Sequence, residues 1–168
     1  MKLIRESNSI TTICPKCDYK FNIYEGSNDK IIRTPRDIYE SFIYLAPLDQ
    51  EELHVALLNT RNKIIGKHMI YKGNISGTLV RVSEVLREAI RINAPSLVLI
   101  HNHPSGDATP SPDDLHLTAN ILAACRMFDI DFLDHVIIGG TEYVSLRDRG
   151  VSFDRVIKSP NPYQGAEN

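Results

Sequence analysis

The chain lacks an apolar run long enough to cross a bilayer, an excess of basic charge, and the cysteines of a disulfide scaffold. Each absence removes a class of function. A membrane-spanning helix needs about 20 consecutive apolar residues, and no stretch of the 168 residues supplies them. Nineteen Lys and Arg stand against 21 Asp and Glu, a formal charge of -2. That balance does not suit a protein whose main task is gripping a phosphate backbone, which needs clustered cations. Three cysteines, an odd number, fit a reducing compartment better than a disulfide framework. The first residues, Met1-Lys2-Leu3-Ile4-Arg5-Glu6, have neither the apolar core nor the cleavage site of a signal peptide. Internal repeats are absent as well. These exclusions leave an expected cytoplasmic protein of one domain plus an appended segment, with enough apolar content for a core.

What is present centres on one run, His101-Asn102-His103-Pro104-Ser105-Gly106-Asp107-Ala108-Thr109-Pro110-Ser111-Pro112-Asp113-Asp114. It follows Ser96-Leu97-Val98-Leu99-Ile100, which reads as a buried strand. Side chains alternate along a strand, so His101 and His103 leave its end on the same side. Two imidazoles, a Pro- and Gly-rich loop, and carboxylates opening a helix match the needs of a catalytic zinc site with three protein ligands and a fourth position for water. Imidazole and carboxylate both bind zinc at about 2.0 Å, so His101, His103 and either Asp113 or Asp114 can share an ion if the loop folds back. The run contains no general base; Glu51, at the mouth of an upstream strand, is the leading candidate.

The surrounding pattern divides the chain into three parts. Residues 1–33 are polar, without clear periodicity, and hold Cys14-Pro15-Lys16-Cys17. This lone CxxC resembles the first knuckle of a zinc ribbon, but the second ligand pair of a ribbon is missing. A second zinc ion at Cys14 and Cys17 is therefore not expected, short of a site shared between two chains. The domain proper spans 34–153. It begins with Thr34 as a helix cap and Pro35 in the first turn, and Ile38, Phe42 and Leu45 form one face. A β pattern follows, with Leu53, Val55 and Leu57 alternating with Glu52, His54 and Ala56. A turn at Asn59-Thr60-Arg61-Asn62 leads to a second strand over 63–70. A helix over 82–93 turns Val82, Val85, Leu86, Ala89 and Ile90 inward, and Pro95 ends it. The helix starting at Ser111 presents Leu115, Leu122 and Cys125, and a hairpin turns across Gly139-Gly140. Residues 154–168 read as a flexible tail. The order is a mixed α/β sandwich rather than a Rossmann array.

From about Glu51 to Gly150 the sequence resembles the RadC family within the JAB/MPN+ (JAMM) metalloproteases. The family pattern is an upstream Glu, then H-x-H, a ten-residue spacer and D, with Ser three before the Asp; His101, His103, Ser111 and Asp114 stand at that spacing. Glu88-Ala89-Ile90-Arg91-Ile92-Asn93-Ala94 before the motif, and Leu133-Asp134-His135-Val136-Ile137-Ile138-Gly139 and Tyr143-Val144-Ser145-Leu146 after it, match as well. The resemblance implies a cytidine-deaminase-like JAB/MPN sandwich, with a mixed, mostly antiparallel sheet flanked by helices. It implies one zinc ion on His101, His103 and Asp114, with Ser111 steadying the oxyanion. Glu51 is implied as the base for a zinc-bound water that hydrolyses an amide, peptide or isopeptide. The register rests on Leu58-Asn59-Thr60-Arg61-Asn62, from which the family glutamate falls on Glu51; Glu52 would face the other way. The chain departs from the family at Val82-Ser83-Glu84, where a Pro-Arg-Glu start is usual, so only the glutamate agrees.

Plainer readings stand beside these. Ser111-Pro112-Asp113-Asp114 is also an ordinary helix start, a role compatible with ligation. Asp107 and Asp113 read as solvated or capping, Ser105 as a turn residue, and Cys125 as a small hydrophobe. His54, His68 and His116 read as surface residues. His135 reads as a buried structural histidine, with support of the zinc site as its alternative. The expected partner is a protein or peptide substrate, with no membrane association. No helix-hairpin-helix pattern of the kind carried by longer members occurs, so direct nucleic-acid binding is not expected. His101-Asn102-His103 is not an HNH nuclease motif, whose residues spread across a ββα unit. The alternatives to a hydrolase are a DNA-repair-associated protein and a non-catalytic MPN-type interaction scaffold.

Overall fold

The computed structural model describes residues 31–73 and 80–151 with their side chains, together with the backbone of three short strands nearer the N-terminus. Cys14, Cys17 and the tail from 154 lie outside the described residues. The three strands, β1 (Lys2–Glu6), β2 (Ser9–Ile13) and β3 (Lys20–Ile23), pair antiparallel in chain order. The sequence pattern had assigned no strands to this part.

Helix α1 (Pro35–Ser41) starts as its sequence suggests. The Thr34 side chain accepts from the Asp37 amide, and the Asp37 carboxylate accepts from Thr34 N at 2.9 Å. Such a capping box stabilises a helix by about 1 kcal/mol. Ile38, Phe42 and Leu45, the last in a 3₁₀ turn (Ile43–Leu45), are all buried. Then come β4 (Glu52–Leu58), β5 (Ile64–Lys72), α2 (Val82–Arg91), β6 (Ser96–Asn102), α3 (Pro112–Met127), β7 (Asp131–Gly139) and β8 (Glu142–Ser145). The five strands form one sheet in the order β5-β4-β6-β7-β8. Every neighbouring pair is antiparallel except β6 and β7. Helices cover both faces. Leu53, Val55, Leu57, Leu97 and Leu99 pack with α2 and α3, while Ala56, Leu58, Val98 and Ile100 pack with α1. This is an α/β sandwich with a mixed, mostly antiparallel sheet.

Four sequence expectations are corrected. All seven β4 residues are buried, not alternate ones, because both faces of this central strand are covered. Ile90 and Leu115 are exposed. The buried stripe of α2 narrows to Val85, Leu86 and Ala89, and that of α3 is Asp114, Leu117, Thr118, Ile121 and Cys125. The rotation of α3 is thus set by Asp114, a polar residue that an apolar pattern does not count. The hairpin turn is Gly140-Thr141, since Gly139 pairs with Glu142 inside the ladder. Gly140 takes φ 55°. Gly139 has another reason to be glycine: a Cβ there would lie 2.4 Å from Ala108 N and 2.6 Å from Gly106 O. The loop after the motif histidines therefore rests directly on the β7 backbone.

Candidate metal centre

The geometry of the site follows from strand register. Leu53 of β4 pairs with His101 of β6, the last pair of that ladder; continued past the strand ends, this register sets Glu52 toward Asn102, and Glu51 toward His103, which feels the charge of Glu51. Antiparallel partners share a face, and alternation puts Glu51, Leu53, His101 and His103 on one face, with Glu52, His54 and Asn102 on the other. His103, just past the end of β6, is tied down by its amide, which donates to Ile138 O at 2.8 Å.

The third member arrives on a helix start. Ser111 caps α3, accepting from Asp114 N at 3.2 Å, while Asp114 Oδ2 accepts from Ser111 N and Ser111 Oγ, both at 2.7 Å. The other oxygen, Oδ1, lies 3.2 Å from His101 Nε2. His103 Nε2 is 2.9 Å from His101 Nε2 and 3.5 Å from Asp114 Oδ2. Ligands held about 2.0 Å from a tetrahedral zinc ion stand about 3.3 Å apart. The separations of His101 Nε2 from His103 Nε2 and from Asp114 Oδ1, 2.9 and 3.2 Å, lie near that value, so the donor set fits the ion. Among the described residues, His101, His103 and Asp114 form a group able to hold a metal ion, with ligand atoms all within 4.8 Å of one another. His101 and Asp114 are buried and His103 is partly so.

The electrostatics match. Burial alone would raise the Asp114 carboxyl, but the imidazoles of His101 and His103 beside it and the Ser111 hydroxyl hold it well below the usual carboxylate range. The hydrogen bond to Asp114 raises His103, against burial; the Asp107 carbonyl and the charges of Asp114 and Glu51 act in the same sense. His103 Nδ1 donates to Asp107 O at 2.7 Å, which leaves Nε2 directed at the group. His101 Nδ1 faces His135 Nε2 at 2.8 Å, and His135 Nδ1 faces Thr118 Oγ1 at 2.6 Å. His135 is completely buried. It is the buried histidine that the sequence suggests, and it also stands in contact with His101.

Glu51 is partly buried and lines an open cleft of about 410 Å³ with Asp49, Gln50, Gly73 and Pro104. Asn102 holds the chain around it, accepting from Glu52 N at 2.8 Å and donating to Gln50 O at 3.0 Å. Both bonds flank Glu51, so the residue between the two histidines positions the strand mouth opposite them. Sequence reasoning missed this role, and the only signal was a polar residue at a position facing the core. Glu52 does face away. Its carboxylate is 2.9 Å from His54 Nε2 and 2.9 Å from Lys72 Nζ. His54, expected at the surface, is buried beside Phe42 and Tyr44, because Glu52 satisfies its ring nitrogen. His68 is partly buried and His116 exposed. Asp113 is exposed, and Asp107 stays outside the group, accepting from Thr109 N at 2.8 Å. Ser105 Oγ accepts from Asp107 N at 3.3 Å, as a turn residue does. Cys125 is buried among apolar neighbours, and burial pushes its thiol up to about 12.

Comparison with known proteins points the same way. A family model described as a RadC-like JAB domain matches residues 22–151. A UPF0758 protein of Roseiflexus castenholzii is 44% identical over 123 residues, covering 73% of this chain and 53% of that protein. One from Chloroflexus aggregans is 43% identical over 124 residues, covering 73% and 54%. One from Clostridium perfringens is 38% identical over 154 residues, covering 90% and 67%. The chain thus spans about half the length of the first two relatives and two thirds of the third. Among the described residues, no helix is long and apolar enough to cross a membrane.

Proposed function

The chain belongs to the family of RadC-like JAB domains, and from that premise we propose that it is a zinc-dependent hydrolase of amide bonds, a metallopeptidase or isopeptidase. The observation that carries this reading is the convergence of His101, His103 and Asp114 on one point, on the sheet face that also carries Glu51, set toward His103. His101 and His103 through Nε2, and Asp114 through its carboxylate, are the groups that would hold the ion. When bound, Zn²⁺ supplies Lewis acidity, polarising a carbonyl and making water easier to deprotonate.

The remaining chemistry belongs to the chain. Glu51 takes the proton of the attacking water and returns it to the leaving amine, a role open to a carboxylate on the wall of a water-accessible cleft. Ser111, whose hydroxyl donates to Asp114 Oδ2 in this structure, turns that proton to the developing oxyanion. Asn102 keeps Glu51 at the strand mouth. The catalytic unit is the domain over 34–153, acting in the cytoplasm on a protein or peptide, without direct contact to nucleic acid. Cys125 supplies no thiolate, since it is buried and its thiol is pushed up.

The test is zinc per chain in purified protein, measured beside His103→Ala and Asp114→Ala. About one zinc per chain, lost in both variants, is the expected result. Zinc that survives both substitutions would point instead to Cys14 and Cys17. A well-folded wild type that takes up no zinc on reloading would overturn the reading and favour a non-catalytic MPN-type scaffold.

A further inference from the structure

We propose that His135 is a positioning residue that holds His101 in the neutral tautomer whose lone pair lies on Nε2, the atom facing His103 and Asp114, through a chain of hydrogen bonds with a fixed direction. The inference rests on the metal reading above and assigns a task to a residue outside the ligand set.

The direction follows from counting protons. Thr118 Oγ1 lies 2.6 Å from the main-chain carbonyl of Asp114 and 2.6 Å from His135 Nδ1. A carbonyl oxygen only accepts, so the single hydroxyl proton of Thr118 goes to Asp114 O. The hydroxyl must then accept from His135, which puts the ring proton on Nδ1. His135 is fully buried, its two nitrogens face a hydroxyl and another imidazole, and burial outweighs the opposing charge of Asp114. It is therefore neutral, and its Nε2 carries a lone pair. That lone pair faces His101 Nδ1 at 2.8 Å, so His101 carries its proton on Nδ1. The free lone pair of His101 is then on Nε2, the atom 3.2 Å from Asp114 Oδ1 and 2.9 Å from His103 Nε2.

The chain joins three elements. It runs from His101 on β6, through His135 on β7, to Thr118 one turn along α3 from Asp114, and closes on the carbonyl of Asp114 itself. The two buried ligands are thus linked to each other behind the site as well as across it. His103 receives the equivalent service from the Asp107 carbonyl. A ligand histidine commonly gives its second N–H to a carbonyl or carboxylate, and loss of that partner lowers metal affinity about 10–100-fold. Here a neutral imidazole takes the place of that acceptor.

The experiment uses the full chain labelled with ¹⁵N-histidine. Two-bond ¹H–¹⁵N spectra of the metal-free protein report the tautomer of each ring, and chelator competition gives zinc affinity. His101 is expected as the Nδ1–H form in wild type. His135→Phe, which removes the acceptor and keeps the bulk, should lower zinc affinity about 10–100-fold. His135→Gln, whose amide oxygen can stand where Nε2 stood, should restore most of it. That rescue separates positioning from simple core filling and serves if the Phe variant fails to fold. His101 found as the Nε2–H form, or a Gln variant as impaired as a folded Phe variant, would overturn the inference while leaving the metal reading intact. Wild type that binds no zinc would overturn the metal reading and this inference together.

Discussion

Two groups of glutamate and histidine lie back to back at one end of β4, separated only by the thickness of the sheet. One comprises His101, His103 and Asp114, with Glu51 set toward His103. The other comprises Glu52, His54 and Lys72. Residue types and burial are similar, yet the lone pairs are arranged differently. On the second face each carboxylate oxygen of Glu52 has a partner at 2.9 Å, one an imidazole and the other an ammonium. The charges balance and the group is closed. On the first face two ring nitrogens point at each other and at a single carboxylate, 2.9 to 3.5 Å apart. The hydrogen bond to that carboxylate raises His103 above its ordinary value. A site for a cation is thus told from a structural ion cluster by where the lone pairs converge, not by which residues are near.

Exchanging glutamine for glutamate on either face should separate the two most sharply. With a panel of peptide and isopeptide amides as substrates, Glu51→Gln should slow hydrolysis by about 10²–10⁴-fold while zinc stays bound. Glu52→Gln should keep both zinc and turnover per folded molecule and lose about 1–3 kcal/mol of stability. The reverse pattern, with Glu52→Gln inactive and Glu51→Gln active, would sink the assignment of the base. A smaller effect is expected of Gly139→Ala. The added Cβ collides with the backbone at 106–108, so about 1–3 kcal/mol should be lost. Zinc affinity should fall too, because Asp107 O, the acceptor for His103, moves with that loop. Melting curves with and without zinc would show both changes; an unchanged affinity would mean the loop adapts without moving His103.

The smallest effect concerns the closed face. Burial lowers the pKa of His54 below its ordinary value, against the pull of Glu52. As pH falls through about 6.5 the unfolded chain takes up a proton that folded His54 resists, so stability declines. Between about pH 7.5 and 5.5, His54→Gln should therefore lose less stability than wild type, by about 1 kcal/mol. An equal slope in the two proteins would show that His54 does not contribute to the acid sensitivity.

The residues of the candidate metal group were legible because their geometry is local. Two histidines two apart at a strand end share a side, and a Ser-Pro-Asp-Asp start places Asp114 in the first turn of a helix. Glu51 came from the resemblance, counted back from the Leu58–Asn62 turn, because its relation to the histidines depends on a strand pairing that no local pattern shows. Other features stayed hidden for definite reasons. Glu52 and His54 read as the polar side of β4 because each alone is polar; buried, they satisfy one another. Asn102 acts on residues 50 and 52 positions away, beyond any local pattern. The facing of His135 depends on a bulge: Leu97 pairs with Phe132 but Val98 with Asp134, so an extra residue in β7 reverses which side chains share a face.

Asp114 is at once the acid that closes the helix cap and a member of the metal group. The hydrogen bonds that start α3 hold Oδ2, which His103 approaches at 3.5 Å, and leave Oδ1 turned to His101. The Asp114 carboxylate is therefore in place as soon as the helix has a first turn, and an ion arriving there would find it already ordered by folding. Its affinity can go almost wholly into bonding, with little loss to the entropy of gathering ligands.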